Sequence, residues 1–312
     1  MKTFRIARIL MVIACSIFLS ACSSIIENKE MGKIEVVGDG VYLFNYGTQR
    51  SLFMVADEGV IVTDPLNINA AQAYQAAIKT ITSQPVKYVV YSHYHWDRIS
   101  GAQIFGEQGA QVVAQEKCAE RLIDNPNSNI VSPDIIFDNQ YKISLGSHAL
   151  SLYYFGPSHG DCLTVFVAEP AGLIQIVDLV EPPSASFPLN PYVSYVRPHN
   201  LREFFSKVLL LIETDGIQKV LASNVRLIGQ DNTNLTFSPA TASTDIIASQ
   251  ARFWDSIYEA VEIARREGNV GIDGFVRLKT IDTKPFEAYA GYRKEDLPII
   301  MRRFSSFYDM GR

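Results

Sequence analysis

The chain has 312 residues, 47% of them hydrophobic, with 28 basic and 33 acidic side chains and a formal charge of −5. That length suffices for one main domain with a two-layer core and appendages. An acidic chain without a basic run gives no support for nucleic-acid binding, and no internal repeat or low-complexity segment is evident.

Met1 to Arg8 is basic, Ile9 to Leu19 is apolar but too short to span a bilayer comfortably, and Leu19-Ser20-Ala21-Cys22 follows. This resembles a bacterial lipoprotein signal with its lipobox. Residues 1–21 are then expected to be removed as a signal peptide, Cys22 to become the lipidated first residue, and 22–32 to serve as a tether. An ordinary signal peptide or an uncleaved anchor is the alternative. Ser23 in place of Asp resembles the outer-membrane sorting pattern, which implies a protein of the cell envelope, held in the outer membrane by lipid and facing the periplasm. Taking Lys2, Arg5 and Arg8 from the 28 basic residues leaves 25 against 33 acidic ones, a mature charge near −8. Attachment is therefore expected from lipid and not from a polybasic surface.

Val36 to Tyr46 and Ser51 to Thr63 read as a meander with turns at Gly38-Asp39-Gly40 and Asp57-Glu58-Gly59, closed by Asp64-Pro65. A helix over Asn69 to Thr82 feeds a buried strand, Pro85 to Tyr91, rich in β-branched and aromatic residues. Ser92-His93-Tyr94-His95-Trp96-Asp97-Arg98 follows directly. In near-extended chain His93 and His95 point to one side, a two-pronged nitrogen ligand of the kind zinc takes. A catalytic zinc needs a third ligand, and His159, in the Gly/Pro-punctuated loop Phe155 to Asp161, supplies the candidate.

Beyond the metal motif come a short helix pattern, a strand at Gln111 to Ala114, a helical-looking Gln115 to Leu122 and a loop from Asp124 to Asp134. Strands follow at Tyr141 to Leu145, Ala149 to Phe155, Leu163 to Ala168 and Leu173 to Val177. A proline-fixed loop from Glu181 to His199 carries Phe187, Tyr192 and Tyr195, and is a candidate roof for a substrate pocket. The last third reads as helical: Leu201 to Thr214 stopped by Gly216, Ile246 to Glu267 before Gly268, and a final helix around Leu297 to Phe304 with Pro298 in its first turn.

The motif resembles the signature of metallo-β-lactamase-fold hydrolases, His-x-His-x-Asp-His at a strand end, then a distant His, a distant Asp and a final His. Here it reads His93-x-His95-x-Asp97-Arg98, with His159 next and Asp178 as the distant Asp, over about residues 33 to 240. The resemblance implies a four-layer αββα sandwich over 33–240, followed by a helical C-terminal extension over 241–312. It also implies zinc on His93, His95 and His159, a second site built on Asp97 and Asp178, and a bracing role for Asp64 that is compatible with an ordinary turn.

The chain departs from the pattern twice. Arg98 stands at the last position of the first motif, and Asn224 stands where the final His is expected. Two carboxylates without imidazole make a weak zinc site, so one zinc is expected. Arg98 either takes over the charge of a second metal, pairing with Asp97 or Asp178, or only packs and orients Asp97. Cys15 leaves with the signal, so Cys118 and Cys162 remain to form one disulfide; alternatively Cys162 is a sulfur ligand or a small buried hydrophobe. His148 at a hairpin turn reads as a surface residue. His199 caps the next helix, serves a substrate anion or fills the vacant ligand place.

The expected function is an envelope-anchored zinc hydrolase acting on a small ester, amide or related substrate, with Asp97 orienting or deprotonating a zinc-bound water and Arg98 partly compensating for the missing ion. The alternative is a catalytically inactive lipoprotein that keeps the fold as a binding or scaffold module. No segment identifies a protein partner.

Overall fold

The computed structural model describes residues 32–182, 185, 195–228, 236–268, 300, 304, 307 and 308. Cys22 and its lipobox, the middle of the proline-rich loop and most of the expected last helix lie outside these residues. None of the described helices is long and apolar enough to cross a membrane.

Four strands, β1 (Lys33–Gly38), β2 (Val41–Tyr46), β3 (Gln49–Ala56) and β4 (Gly59–Thr63), form the expected antiparallel meander. Three parallel strands extend it, β5 (Val86–Val90), β6 (Gln111–Gln115) and β7 (Ile135–Phe137), giving a seven-stranded sheet in sequence order. The parallel crossovers need helices. These are α1 (Ile68–Ile81), the short α2 (Trp96–Ile99) and α3 (Gln103–Gly106), and α4 (Glu116–Asp124). Helix α1 starts one residue before its expected position, because the Asn67 side chain accepts the Ala70 N–H at 3.0 Å.

The second sheet is built from β8 (Gln140–Leu145), β9 (His148–Tyr154), β10 (Thr164–Glu169), β11 (Leu173–Gln175), β12 (Lys219–Leu221) and β15 (Thr241–Ser243), in the order β15-β12-β11-β10-β9-β8. A small ribbon pairs β13 (Leu227–Ile228) with β14 (Thr236–Phe237). Strands β11 and β12 are parallel, joined by a crossover containing α5 (Pro198–Asp215); α6 (Asp245–Arg266) follows β15. Strand β11 is shorter than the expected Leu173 to Val177. The chain turns out after Gln175, and Asp178 takes a positive φ of 61°. Helix α5 begins at Pro198 rather than Leu201, since proline at the first position is pre-set for helical φ. Gly216 ends it at φ 63°, the left-handed stop that glycine adopts without strain.

Side chains of both sheets close the central core, Leu43, Leu52, Met54 and Val90 from one and Leu150, Leu152, Phe166 and Ile174 from the other. Each such burial contributes about 1.5–3 kcal/mol. On the outer face of the first sheet, α1, α3 and α4 pack Tyr74, Phe105 and Cys118 over Phe44 and Phe53, with Tyr74 stacked 4.3 Å from Phe44. Helices α5 and α6 bury Phe204, Val208, Trp254 and Tyr258 in the same core cluster as the inter-sheet residues, and Ile300 and Phe304 join them. The result is a mixed α/β sandwich of two sheets with helices outside. The segment expected as a separate helical extension begins with β15, which pairs with β12, so the second sheet runs past residue 240.

Candidate metal centre

The site lies beyond the carboxyl ends of β4, β5, β11 and β12, where chain leaving the sheets is free to turn inward. After β5, Ser92 is anchored by its N–H on Asp64 Oδ1 at 2.8 Å. The Ser92 hydroxyl meets His93 Nδ1 at 2.8 Å, which leaves His93 Nε2 for the site. His93 Nε2 lies 2.9 Å from His95 Nδ1, and the buried His159 completes a set whose ligand atoms all fall within 4.8 Å of one another. The expectation that His93 and His95 share one side and meet His159 therefore holds in the geometry.

The electrostatics suit a metal. Burial drives His93 well below the ordinary histidine value, lowers His95, and brings His159 down to about 4. Neutral imidazoles keep the lone pairs that zinc requires. His159 Nδ1 has no partner among the described residues, while its Nε2 faces inward, 3.8 Å from Asp178 Oδ2. Asp178 Oδ2 also lies 3.6 Å from His93 Nε2. Three neutral nitrogens converge, with Asp178 Oδ2 beside two of them, and the three-imidazole set fits zinc.

Behind that carboxylate sits the position where the resemblance implies a second ion. Arg98 is buried there. Its Nε donates to Asp178 Oδ2 at 3.1 Å, its Nη2 to Asp178 Oδ1 and to Asn224 Oδ1 at 3.1 Å, and its Nη1 to the Ser223 carbonyl at 3.2 Å. Asn224 Nδ2 donates to Asp178 Oδ1 at 2.8 Å and to Glu181 Oε1 at 2.9 Å. Burial alone would raise Asp178, but the Arg98 guanidinium, with His159 and His93, holds it far below the ordinary carboxylate range. Glu181 is pushed up by burial even though it accepts from the Ser223 hydroxyl and the Asn224 backbone. Asp64 is pushed up to about 7 by burial, opposed by Arg98 and Ser92.

Of the two expected partners of Arg98, the structure brings Asp178 and not Asp97. Asp97 sits exposed in the first turn of α2 and accepts from Gln49 Nε2 at 3.0 Å. It stays close enough to His95 to favour the protonated imidazole. All the Arg98 bonds run to protein groups and its side chain is 1% exposed, so in this arrangement it positions Asp178 and does not reach the open side of the site. Glu181, Ser223 and Gln49 escaped sequence reasoning. An arginine replacing an imidazole demands extra acceptors, and Glu181 lies three residues after Asp178; that was the available signal.

The remaining candidates fall elsewhere. Cys118 and Cys162 form a disulfide with Cα atoms 5.3 Å apart, which removes Cys162 as a sulfur ligand. His148 bonds the Asp39 carbonyl at 3.1 Å between two hairpin tips. His199 is exposed within α5, not at its cap, and lies 5.5 Å from the Phe307 ring. Of the roof residues only Tyr195 is described; it receives a hydrogen bond from Arg121 and donates to Asp161 at 3.2 Å, close to the His159 loop.

Comparison with known proteins agrees with this fold. Residues 46–174 match the family model described as the metallo-beta-lactamase superfamily. One curated relative is 2,4-dinitroanisole O-demethylase subunit alpha of Nocardioides sp. (strain JS1661), 25% identical over 152 residues, 48% of this chain; the chain spans only 44% of that relative's length. Among solved structures, a metallo-beta-lactamase from Pontibacter korlensis is 19% identical with a TM-score of 0.57, covering 72% of this chain and 98% of that one. The sec-alkylsulfatase Pisa1 from Pseudomonas sp. is 12% identical with a TM-score of 0.68, covering 88% of this chain and 50% of that one. At such identities the structures show the fold alone.

Proposed function

From the premise that residues 46–174 form a metallo-beta-lactamase superfamily domain, we propose that this protein is a zinc-dependent hydrolase of a small ester, amide or related substrate, working with one ion. The observation that carries the reading is the convergence of three neutral imidazoles, His93, His95 and His159, with the Asp178 carboxylate lying against two of them. These residues would hold the zinc, which when bound lowers the pKa of water and polarises a substrate oxygen. Asp97, exposed beside His95 and steadied by Gln49, would accept a proton from the attacking water. Arg98, with Asn224, keeps Asp178 ionised and aimed at the imidazoles. We further propose that lipid on Cys22 anchors the protein in the envelope with this domain facing the periplasm.

A second reading is favoured by one observation. Arg98, Asp178 and Asn224 fill with protein groups the position that the resemblance gives to a second metal, as a binding or scaffold module that has left catalysis behind would allow. The test is a panel of ester, amide, lactam and sulfate-ester substrates with the purified protein, zinc-loaded and zinc-stripped. Zinc-dependent turnover lost in His159→Ala supports the hydrolase. A protein that binds zinc tightly and turns over none of the panel supports the module.

A further inference from the structure

His159 rides on an irregular segment between β9 and β10 that contains Gly156, Pro157 and Gly160, with Gly156 at φ 103°. Such chain is entropically costly to hold, roughly 1–2 kcal/mol per residue, yet a metal ligand must be held to a fraction of an ångström. The segment's own hydrogen bonds are few: Ser158 N–H to the Gly160 carbonyl at 2.8 Å, and at its far end Thr164 N–H to the Ser92 carbonyl at 2.7 Å. Its middle is held from outside. Tyr154 donates to the Asp161 carbonyl at 2.7 Å, Arg121 Nε donates to Asp161 Oδ2 at 2.6 Å, and Cys162 is bonded to Cys118. Cys118 and Arg121 are three apart on α4, so one face of one helix supplies both clamps. Arg121 is 42% exposed, and exposed ion pairs hold weakly; the disulfide is fully buried and covalent.

We propose that Cys118 and Cys162 are positioning residues of the metal centre: their disulfide pins the His159 segment to α4, and zinc affinity falls when the bond is opened. Opening it takes a dithiol reductant. The S–S bond breaks, two electrons and two protons pass to the pair, and the reductant becomes a disulfide. The affinity part rests on the zinc reading above; the pinning part does not.

The experiment uses the whole mature protein. Thiol titration after denaturation without reductant should find neither cysteine free; two free thiols would overturn the proposal. A second sample is reduced with dithiothreitol and freed of it anaerobically. Zinc affinity, read by competition with a chromophoric chelator, should weaken at least tenfold, and the ligand-field spectrum of the cobalt-loaded protein should change. Amide hydrogen exchange over residues 156–163 should speed up while β2 and β3 keep their protection. The double variant Cys118→Ala, Cys162→Ala should reproduce the reduced form, and if it fails to fold the reduction arm stands alone. Equal exchange over 156–163 in both forms would overturn the pinning. Equal zinc affinity would overturn its link to the metal, and loss of all secondary structure on reduction would make the bond a general staple rather than a local one. If neither form binds zinc, the zinc reading fails by itself, and the exchange data still decide the pinning.

Discussion

Arg98 meets Asp178 with two nitrogens on one edge of its guanidinium: Nε donates to Oδ2 at 3.1 Å while Nη2 donates to Oδ1, and both residues are buried. The carboxylate turns Oδ2 toward His93 and His159 at 3.6 and 3.8 Å, so a single side chain joins a fixed protein cation to the imidazole cluster. An arginine in the place of an ion keeps a cation there, of charge +1 rather than +2, but offers no open coordination positions.

Removing that cation should be costly. Arg98→Ala leaves Asp178 and the neighbouring Glu181 buried without it, and losing one partner of a buried pair costs about 3–5 kcal/mol. Arg98→Lys should recover only part, since an ammonium cannot fork across both oxygens. Urea midpoints check this; an Arg98→Ala protein as stable as the parent would make the pair a bystander.

Metal content should be about one zinc per chain after dialysis, because the three-imidazole set is complete while Arg98 and Asn224 occupy the neighbouring position. Two tightly held ions by elemental analysis would contradict the single-site account.

Restoring both nitrogens should rebuild a second site. The double variant Arg98→His, Asn224→His returns two imidazoles beside Asp178 and frees that carboxylate from its guanidinium. A second zinc in the double variant is the expected result, with altered rates on any substrate the parent turns over. A count that stays at one would show that this pocket no longer accepts an ion.

The zinc-free protein should show a defined pH dependence. Burial lowers His159 from 6.5 to about 4, so between these values the unfolded chain takes up a proton that the native state refuses, and stability falls as pH drops through that window. At 1.36 kcal/mol per unit, His159 accounts for about 3 kcal/mol by pH 4. Asp64, raised to about 7, acts with the opposite sign over the same range, so comparison of parent with His159→Gln isolates the histidine. The stability of the parent relative to that variant should decline steadily from pH 6.5 to 4; a constant difference would rule out a neutral buried His159.

Lipidation is tested directly. With Cys22 as acceptor, Cys22→Ala or globomycin treatment should leave an unprocessed or mislocalised precursor. Normal maturation of the Cys22→Ala protein would refute the anchor.

The sequence alone determined what is local. Alternation and turn residues located the meander, β5, β6 and the strands β8 to β11, Gly216 marked the end of α5, and the spacing of His93 and His95, with His159 in its Gly/Pro loop, pointed to the imidazole cluster. These follow from short-range rules, since side-chain direction repeats every two residues in a strand and loop ligands must leave strand ends. Tertiary structure alone decided who meets whom. Whether Arg98 faced Asp97 or Asp178, whether Cys162 was a ligand or half of a disulfide, and that Glu181 braces Ser223 and Asn224 all depend on contacts between residues 42 to 126 positions apart. A buried guanidinium takes whichever acceptors the packed sheets bring to it. That choice is set by closing the two sheets over a shared core, where an unpaired charge costs more than any local preference can offset.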